Sequence, residues 1–184
     1  DTGNVRPFTY RSGPVNTDQV ATMASYTYSE LGNPKVAILY ETTQVDTVDM
    51  AKAFKDTYTG LGGEIVAEAT YQINDVEFRA QLTSLAQSNP SYLFMPVMGY
   101  KEAGYVAKQL SELGLGDIKL IGNYVYDTED LLTLAGPELE GCIFATDGDL
   151  SDSRFDEIKA EYQEYQQASK PCSGRTLAVG LLSK

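Results

Sequence analysis

A short apolar segment followed by an amphipathic helical pattern recurs along this chain and restricts its fold more than any other feature. The apolar segments are VAILY at 36–40, EIVAEATY at 64–71, YLFMPV at 92–97, IKLIG at 118–122 and GCIFAT at 141–146. Strands that alternate with helices of about 10–15 residues form a parallel sheet covered on both faces. Such sheets bind ligands outside the carboxyl ends of their strands, so the loops after these segments are the first places to look for function.

This pattern predicts an α/β fold, a three-layer sandwich with a mostly parallel, flavodoxin-like sheet of about five strands and helices on both faces. The segment VAILY has no charged interruption, as expected for a strand that is buried on both sides.

The 184 residues are enough for one core, and no internal repeat indicates a second. No apolar run approaches the length of about 18 residues that a membrane helix needs. The opening sequence DTGNVRPFTYR is typical of the interior of a longer protein.

Charge and composition disfavour several classes of function. The net charge of −12 argues against nucleic acids and anionic lipids as partners, because both require a basic surface. The chain has no histidine, which removes the usual general base and the commonest metal ligand. The two cysteines, Cys142 and Cys172, are too few for a disulfide framework. We therefore expect no cofactor, no metal site and no catalytic residue.

Three motifs that could carry chemistry have simpler explanations. The glycines at 60–63 follow a helix and precede a strand, which is the wrong order for a phosphate-binding loop and favours a turn that ends the helix. The acidic segment 147–158 has Asp152 where a calcium loop needs glycine, and Ile158 where it needs glutamate. The acid pairs Asp46/Asp49 and Glu129/Asp130 lie at predicted helix starts, where the helix dipole favours negative charge.

Tyrosines cluster in two of the loops at the carboxyl ends of strands. Tyr100 follows the third apolar segment, with Met98 nearby, and Tyr124 and Tyr126 follow the fourth. An aromatic, largely uncharged rim suits a small ligand that stacks on rings and accepts a few hydrogen bonds. The alternative is that these tyrosines only anchor their loops to the core.

The order and spacing of many segments resemble the type I periplasmic binding proteins, most closely the leucine/isoleucine/valine-type receptors of ABC importers. The segments include KVAILY at 35–40, LGGEIV at 61–66 and the Gly-Leu-Gly step at 114–116 that ends a helix. The resemblance covers about residues 8–168 and matches only the second of the two lobes of such a receptor. It implies that residues 1–16 are the entry hinge strand and crossover, that 17–146 are the second lobe, and that 147–184 are the exit hinge, a helix and an atypical tail.

The resemblance also implies which loops face the ligand. They are 44–46, with Gln44, Val45 and Asp46, then 98–100, with Met98, Gly99 and Tyr100, and the loop that holds Tyr124 and Tyr126. Amino-acid receptors of this type usually have an acid where this chain has Tyr124. Either Asp46 binds the ammonium group of an amino acid instead, or the ligand is an aromatic or carboxylic compound without an amine.

The function implied is that of an extracytoplasmic solute-binding component, in the periplasm or anchored on the cell surface, without enzymatic activity. Its partners would be a small-molecule ligand, the membrane permease of the importer and the first lobe of the full-length protein.

Two alternative functions stay open. One is the ligand-sensing domain of a regulator or receptor. The other is a flavodoxin-like enzyme or flavin carrier, which needs a phosphate-binding loop after the first strand, where this chain has Glu41-Thr42-Thr43-Gln44.

Overall fold

The computed structural model describes residues 14–146 and, after them, residues 153, 156 and 160. Contacts within the chain define two compact units, one of residues Asn16–Thr146 and one of Asp1–Val15 together with Asp147–Lys184. The predicted hinges at 1–16 and 147–184, and the acidic segment 147–158, lie almost wholly outside the described residues. The assignment of these segments therefore stays a prediction.

Within the described residues, five parallel strands form one sheet in the order β2-β1-β3-β4-β5. The strands are β1 (Val36–Glu41), β2 (Ile65–Tyr71), β3 (Tyr92–Phe94), β4 (Lys119–Gly122) and β5 (Ile143–Phe144). This order is that of flavodoxin-like folds, in which the chain changes direction across the sheet between β1 and β3. The predicted α/β fold class is confirmed.

Five α-helices of the described part alternate with the strands. They are α1 (Asn16–Ser29), α2 (Val45–Gly60), α3 (Arg79–Ala86), α4 (Tyr100–Glu112) and α5 (Glu129–Ala135). Two 3₁₀ turns, Tyr124–Tyr126 and Pro137–Leu139, flank α5. None of these helices combines the length and the apolarity needed to cross a bilayer.

Alternate residues of each strand enter different cores on the two faces of the sheet. Ile38 belongs to the core that α1 and α2 cover, whereas its neighbour Leu39 belongs to the core under α3, α4 and α5. On the first face, the rings of Phe54 and Phe94 stack with their centroids 4.0 Å apart and an angle of 12° between their planes. Both faces of the sheet are thus sealed, which explains the continuous apolar character of β1.

The glycine-rich segment at 60–63 ends a helix, as its position predicts. Helix α2 ends at Gly60, and Gly62 adopts a left-handed φ of 98°. At Gly63, a Cβ atom would lie 2.5 Å from the ring of Tyr58, so the backbone needs glycine there to pass the aromatic side chain. The segment is a C-terminal turn of α2.

Helix α3 starts later than a cap at Asn74 or Asp75 would place it, although asparagine and aspartate are common N-cap residues. The helix begins at Arg79, and its N-cap Phe78 makes no side-chain capping bond. Asp75 instead closes a local turn, because its Oδ2 accepts a hydrogen bond of 2.8 Å from the backbone N–H of Gln72. A short polar side chain serves this tight turn as readily as a helix cap, and sequence alone does not distinguish the two.

Strand β2 lies at the edge of the sheet and has an ion pair on one face. Glu68, in the middle of β2, pairs with Lys55 of α2. Both side chains are more than a third exposed. Such a surface pair contributes about 0–1 kcal/mol to stability, so β2 is held mainly by its hydrogen bonds to β1.

Candidate functional site

The predicted ligand loops follow three strands that are neighbours in the sheet. Residues 44–46 follow β1, residues 98–100 follow β3, and Tyr124 follows β4. Because β1, β3 and β4 are parallel and adjacent, their carboxyl ends meet at one edge of the sheet. Helix α2 packs on one face and α4 on the other, so a crevice opens between β1 and β3. The structure thus brings these loops together at one edge.

The predicted site residues differ in how far they are exposed at this edge. Val45 is 73% exposed, Met98 is 38% exposed, and Asp46 is also exposed. Four further predicted residues are half-buried, namely Gln44, Gly99, Tyr100 and Tyr124. The surface offered to a ligand therefore combines apolar, aromatic and acidic groups.

A buried carboxylate at the end of β1 organises the first loop. Glu41 is buried, and its oxygens accept hydrogen bonds from the N–H of Thr43 (2.6 Å), the hydroxyl of Thr43 (2.5 Å) and the N–H of Gln44 (2.8 Å). The hydroxyl of Thr47 lies 2.8 Å from the carbonyl oxygens of both Glu41 and Gln44. These bonds fix the backbone that presents Val45 and Asp46 at the start of α2.

Opposing effects act on the pKa of Glu41. Burial alone raises it, but the hydrogen bonds from the side chain and backbone of Thr43, and from the backbones of Gln44 and Ile73, outweigh burial. The pKa therefore lies below the ordinary value of 4.5, and the carboxylate is ionised at neutral pH.

A buried amide joins the second and third loops. The side chain of Asn123 is fully buried, its Oδ1 accepts a hydrogen bond from the N–H of Val97 (3.1 Å), and its Nδ2 donates to the carbonyl of Val97 (3.0 Å). The amide thus pairs with both polar backbone groups of one residue, as a neighbouring strand would. Met98 and Gly99, which follow Val97, are held in register with Tyr124, which follows Asn123.

Tyr126 does not lie on the exposed rim where the sequence places it. It is 3% exposed, and its hydroxyl donates a hydrogen bond of 3.1 Å to the carbonyl of Met95. A Cβ atom on Gly122 would lie 2.4 Å from the ring, so the glycine makes room for the tyrosine. The ring packs beneath the loop, because a 3₁₀ turn directs positions 124 and 126 to different sides. Tyr126 thereby supports the loop from below.

Negative charge predominates around this edge. Burial raises the pKa of Tyr71, at the end of β2, and the charges of Glu102, Glu41 and Asp75 raise it further. Three carboxylates, at the end of β1, in the turn after β2 and in the first turn of α4, thus raise the pKa of the Tyr71 hydroxyl. The described residues contain no group of three acids or cysteines suited to hold a metal ion.

A cavity opens beside Tyr100, between α4 and α5. Its volume is about 320 Å³, and its lining includes Tyr100, Tyr105, Lys108, Asp130 and Leu134. This is near the lower limit of about 300 Å³ for small-molecule pockets. The cavity runs from Tyr100, at the edge of the sheet, along α4 to Lys108.

Two residues that organise the site, Glu41 and Asn123, were not predicted as site residues. Glu41 is the polar residue that ends β1, Asn123 directly follows β4, and both are buried. A polar residue at the end of an apolar strand is the sequence signal that could have identified both, because a buried polar group needs a hydrogen-bond partner. The identity of the partner, such as Val97 for Asn123, is not evident from the local sequence.

A profile of the periplasmic binding protein family matches residues 1–178 of this chain. Among curated protein sequences, none matches it.

Solved structures with the same fold include transport receptors. The chain is 23% identical to the leucine-binding protein LivK of Thermotoga maritima, with a TM-score of 0.82 over 96% of this chain and 50% of that one. It is 22% identical to LivJ of Streptococcus pneumoniae, a branched-chain amino acid transporter substrate-binding protein in complex with isoleucine, with a TM-score of 0.72 over 91% and 48% of the two chains.

A third similar structure holds a different kind of ligand. It is a solute-binding protein of an ABC transporter from Rhodopseudomonas palustris, in complex with 3,4-dihydroxybenzoic acid, with 24% identity and a TM-score of 0.69 over 86% of this chain and 44% of that one. The present chain thus spans about half the length of the structures that it matches.

Replacing Asn123 tests whether its amide joins the two loops. In Asn123→Ala, the N–H and carbonyl of Val97 lose their buried partners, and we expect the free energy of unfolding to fall by about 2–4 kcal/mol. Chemical denaturation measures this, and amide hydrogen exchange at Val97 should accelerate.

In Asn123→Asp, only the protonated acid can both accept and donate, so the stability lost at pH 8 should partly return at pH 5. Equal stability of Asn123→Asp at both pH values would contradict this account.

Replacing Glu41 tests its role as the acceptor for the first loop. Because the pKa of Glu41 is lowered in the folded protein, the ionised carboxylate contributes stability at neutral pH, and this is lost as the pH falls below 4.5 through the folded pKa. Glu41→Gln should therefore be less stable than the parent by about 1–3 kcal/mol at pH 7, with a difference that shrinks in acid. Glu30→Gln, at an exposed position, is the control. A difference that stays constant down to pH 3 would argue against the ionised acceptor.

Proposed function

The chain belongs to the periplasmic binding protein family, and we propose that residues 17–146 form the second lobe of a solute receptor for an ABC importer. The observation that carries this proposal is the meeting of the loops after β1, β3 and β4 at one edge, beside the crevice between β1 and β3. That edge is where an open parallel sheet binds ligands. The half-length match to the solved receptors supports a partner lobe that supplies the opposite wall.

In the proposed receptor, ligand binding is coupled to closure. Residues 1–16 and 147–184 serve as the hinge segments that connect this lobe to the first. A ligand held by both lobes makes contacts in the closed form that the open form lacks, so binding shifts the population toward closure. The closed receptor then docks on the membrane permease outside the cytoplasmic membrane. No covalent chemistry is required, which agrees with the absence of histidine.

The edge favours an amine-bearing ligand with an apolar side chain. Asp46 is an exposed carboxylate at the start of α2, and Glu41, which accepts a hydrogen bond from the N–H of Gln44, adds a second negative charge to the same loop. A carboxylate group of the ligand would be repelled by these acids, and the first lobe is the better place for it. Val45 and Met98 offer apolar surface on either side of the crevice. An apolar amino acid, with its ammonium group on Asp46, satisfies all of these groups.

The flavodoxin-like alternative is disfavoured by the bonds of Glu41. A flavin phosphate after β1 would need free backbone N–H groups in that loop. The N–H groups of Thr43 and Gln44 already donate to the Glu41 carboxylate, whose charge would also repel a phosphate.

A thermal-shift screen of amino acids and benzoates on the full two-lobed protein tests the proposed function. At a concentration 100-fold above Kd, a ligand stabilises the native form by about 2.7 kcal/mol, so L-leucine or L-isoleucine should raise the midpoint by several degrees. The 184-residue chain alone is the control, and it should show a much smaller shift because half the cleft is missing. A full-sized shift with the isolated chain, or none with any compound on the two-lobed protein, would refute the proposal.

Asp46 can be tested against a matched neighbour. Asp49 lies one turn further along α2 and is also exposed. In the two-lobed protein, Asp46→Asn should weaken L-leucine binding about tenfold or more, because a charge-assisted hydrogen bond to the ammonium is lost, whereas Asp49→Asn should change it little. Calorimetry distinguishes the two variants. Equal effects would show that only the general negative potential matters, and tighter binding of Asp46→Asn would reverse the assigned contact.

A further inference from the structure

The methionines of this chain differ sharply in exposure. All four lie in the described part, and three are buried, with exposed fractions of 7% for Met23 and 0% for Met50 and Met95. Met98 is 38% exposed. An oxidant in solution can therefore approach the side chain of Met98 in the folded protein, whereas the buried methionines require local unfolding first.

The backbone around Met98 keeps its side chain at the edge of the sheet. Both polar groups of Val97 are bonded to the buried amide of Asn123. On the other side, Gly99 is the N-cap of α4, and a carboxylate oxygen of Glu102 would lie 3.1 Å from a Cβ atom placed there. Met98 lies between Val97 and this helix start, in the loop after β3, next to the loop after β1 that exposes Val45.

The described cysteine is a poor competitor for an oxidant. Cys142 is half-buried, and its sulfur accepts a hydrogen bond of 3.4 Å from the N–H of Leu120. Burial raises the pKa of its thiol, although the bond from Leu120 and the charge of Lys119 partly oppose this, so little of the reactive thiolate is present at neutral pH. Cys172 lies outside the described residues.

We propose that Met98 is a modification site, at which peroxide forms a sulfoxide that weakens ligand binding by this lobe. The sulfur lone pair attacks one oxygen of hydrogen peroxide, an S–O bond forms, and the O–O bond breaks. The sulfur loses two electrons, the transferred oxygen gives up its proton, and the departing hydroxide takes up that proton and leaves as water. The modification claim stands on exposure alone, and the effect on binding rests on the proposed function.

The sulfoxide changes the chemistry of the edge at one point. A flexible apolar side chain becomes polar and bears a partly negative oxygen. A polar sulfoxide offers less apolar contact to a ligand side chain opposite Val45. Methionine sulfoxide reductases reverse the change, so the site can act as a reversible sensor of peroxide.

The first experiment maps oxidation in the 184-residue chain. Native protein is treated with dilute hydrogen peroxide, and peptides are sequenced by mass spectrometry at several times. Met98 should gain one oxygen at least about tenfold faster than Met50 and Met95, because those side chains are sealed in the core. Comparable rates at Met98 and Met95, which are three residues apart, would overturn the modification claim.

The second experiment measures the consequence in the two-lobed protein, with L-leucine as the probe. Complete oxidation of Met98 should weaken binding about five- to tenfold, from the loss of part of a methionine's apolar contact, and reductase treatment should restore it. Met98→Gln should resemble the oxidised form, and the affinity of Met98→Leu should not change on peroxide treatment. L-leucine should also slow oxidation of Met98, because closure covers it.

The outcomes separate the two proposals. Unchanged affinity after full oxidation, or equal peroxide sensitivity of Met98→Leu, would overturn the effect on binding while the receptor assignment stands. If the unoxidised two-lobed protein binds no compound of the screen, the receptor assignment fails, and the peptide map alone decides whether Met98 is a modification site.

Discussion

All the strands of this sheet run in the same direction, and the candidate site depends on that constraint. A parallel arrangement sends every strand-to-helix loop to one edge, so residues 44–46, 98–100 and 124 lie at the same edge. The change of direction between β1 and β3 then places α2 and α4 on opposite faces, and the sheet edge between them stays open. The fold supplies the location of a site, whereas the side chains in the loops decide what can bind there.

Those loops are rigid because buried polar side chains bind their backbones. Glu41 binds the backbone N–H groups of Thr43 and Gln44, and Asn123 binds both polar groups of Val97. A buried polar group is costly unless it is paired, so each of these residues restricts its loop to the conformation that satisfies it. In the proposed receptor this restriction would favour binding, because less conformational entropy is lost when a ligand binds to ordered loops.

Much of this architecture follows from local sequence patterns, and the exceptions have physical causes. The apolar runs predict the strands and their order along the chain, and hence which loops share an edge. They do not distinguish Tyr124 from Tyr126, because the burial of Tyr126 depends on space left by Gly122 and on a bond to Met95. Asn123 was missed for a related reason, since its partner is 26 residues away and only the folded sheet brings the two together.

The ion pair between Glu68 and Lys55 lies on β2, the outermost strand of the described sheet. An outermost strand offers unpaired N–H and C=O groups, and the run IVAEATY is otherwise apolar enough to invite another chain to add to the sheet. Glu68 interrupts that run with a charge at its centre, and Lys55 keeps the charge on the surface. The ion pair contributes little to folding stability, but a charge within an apolar edge strand acts against amyloid-like stacking of one chain on another.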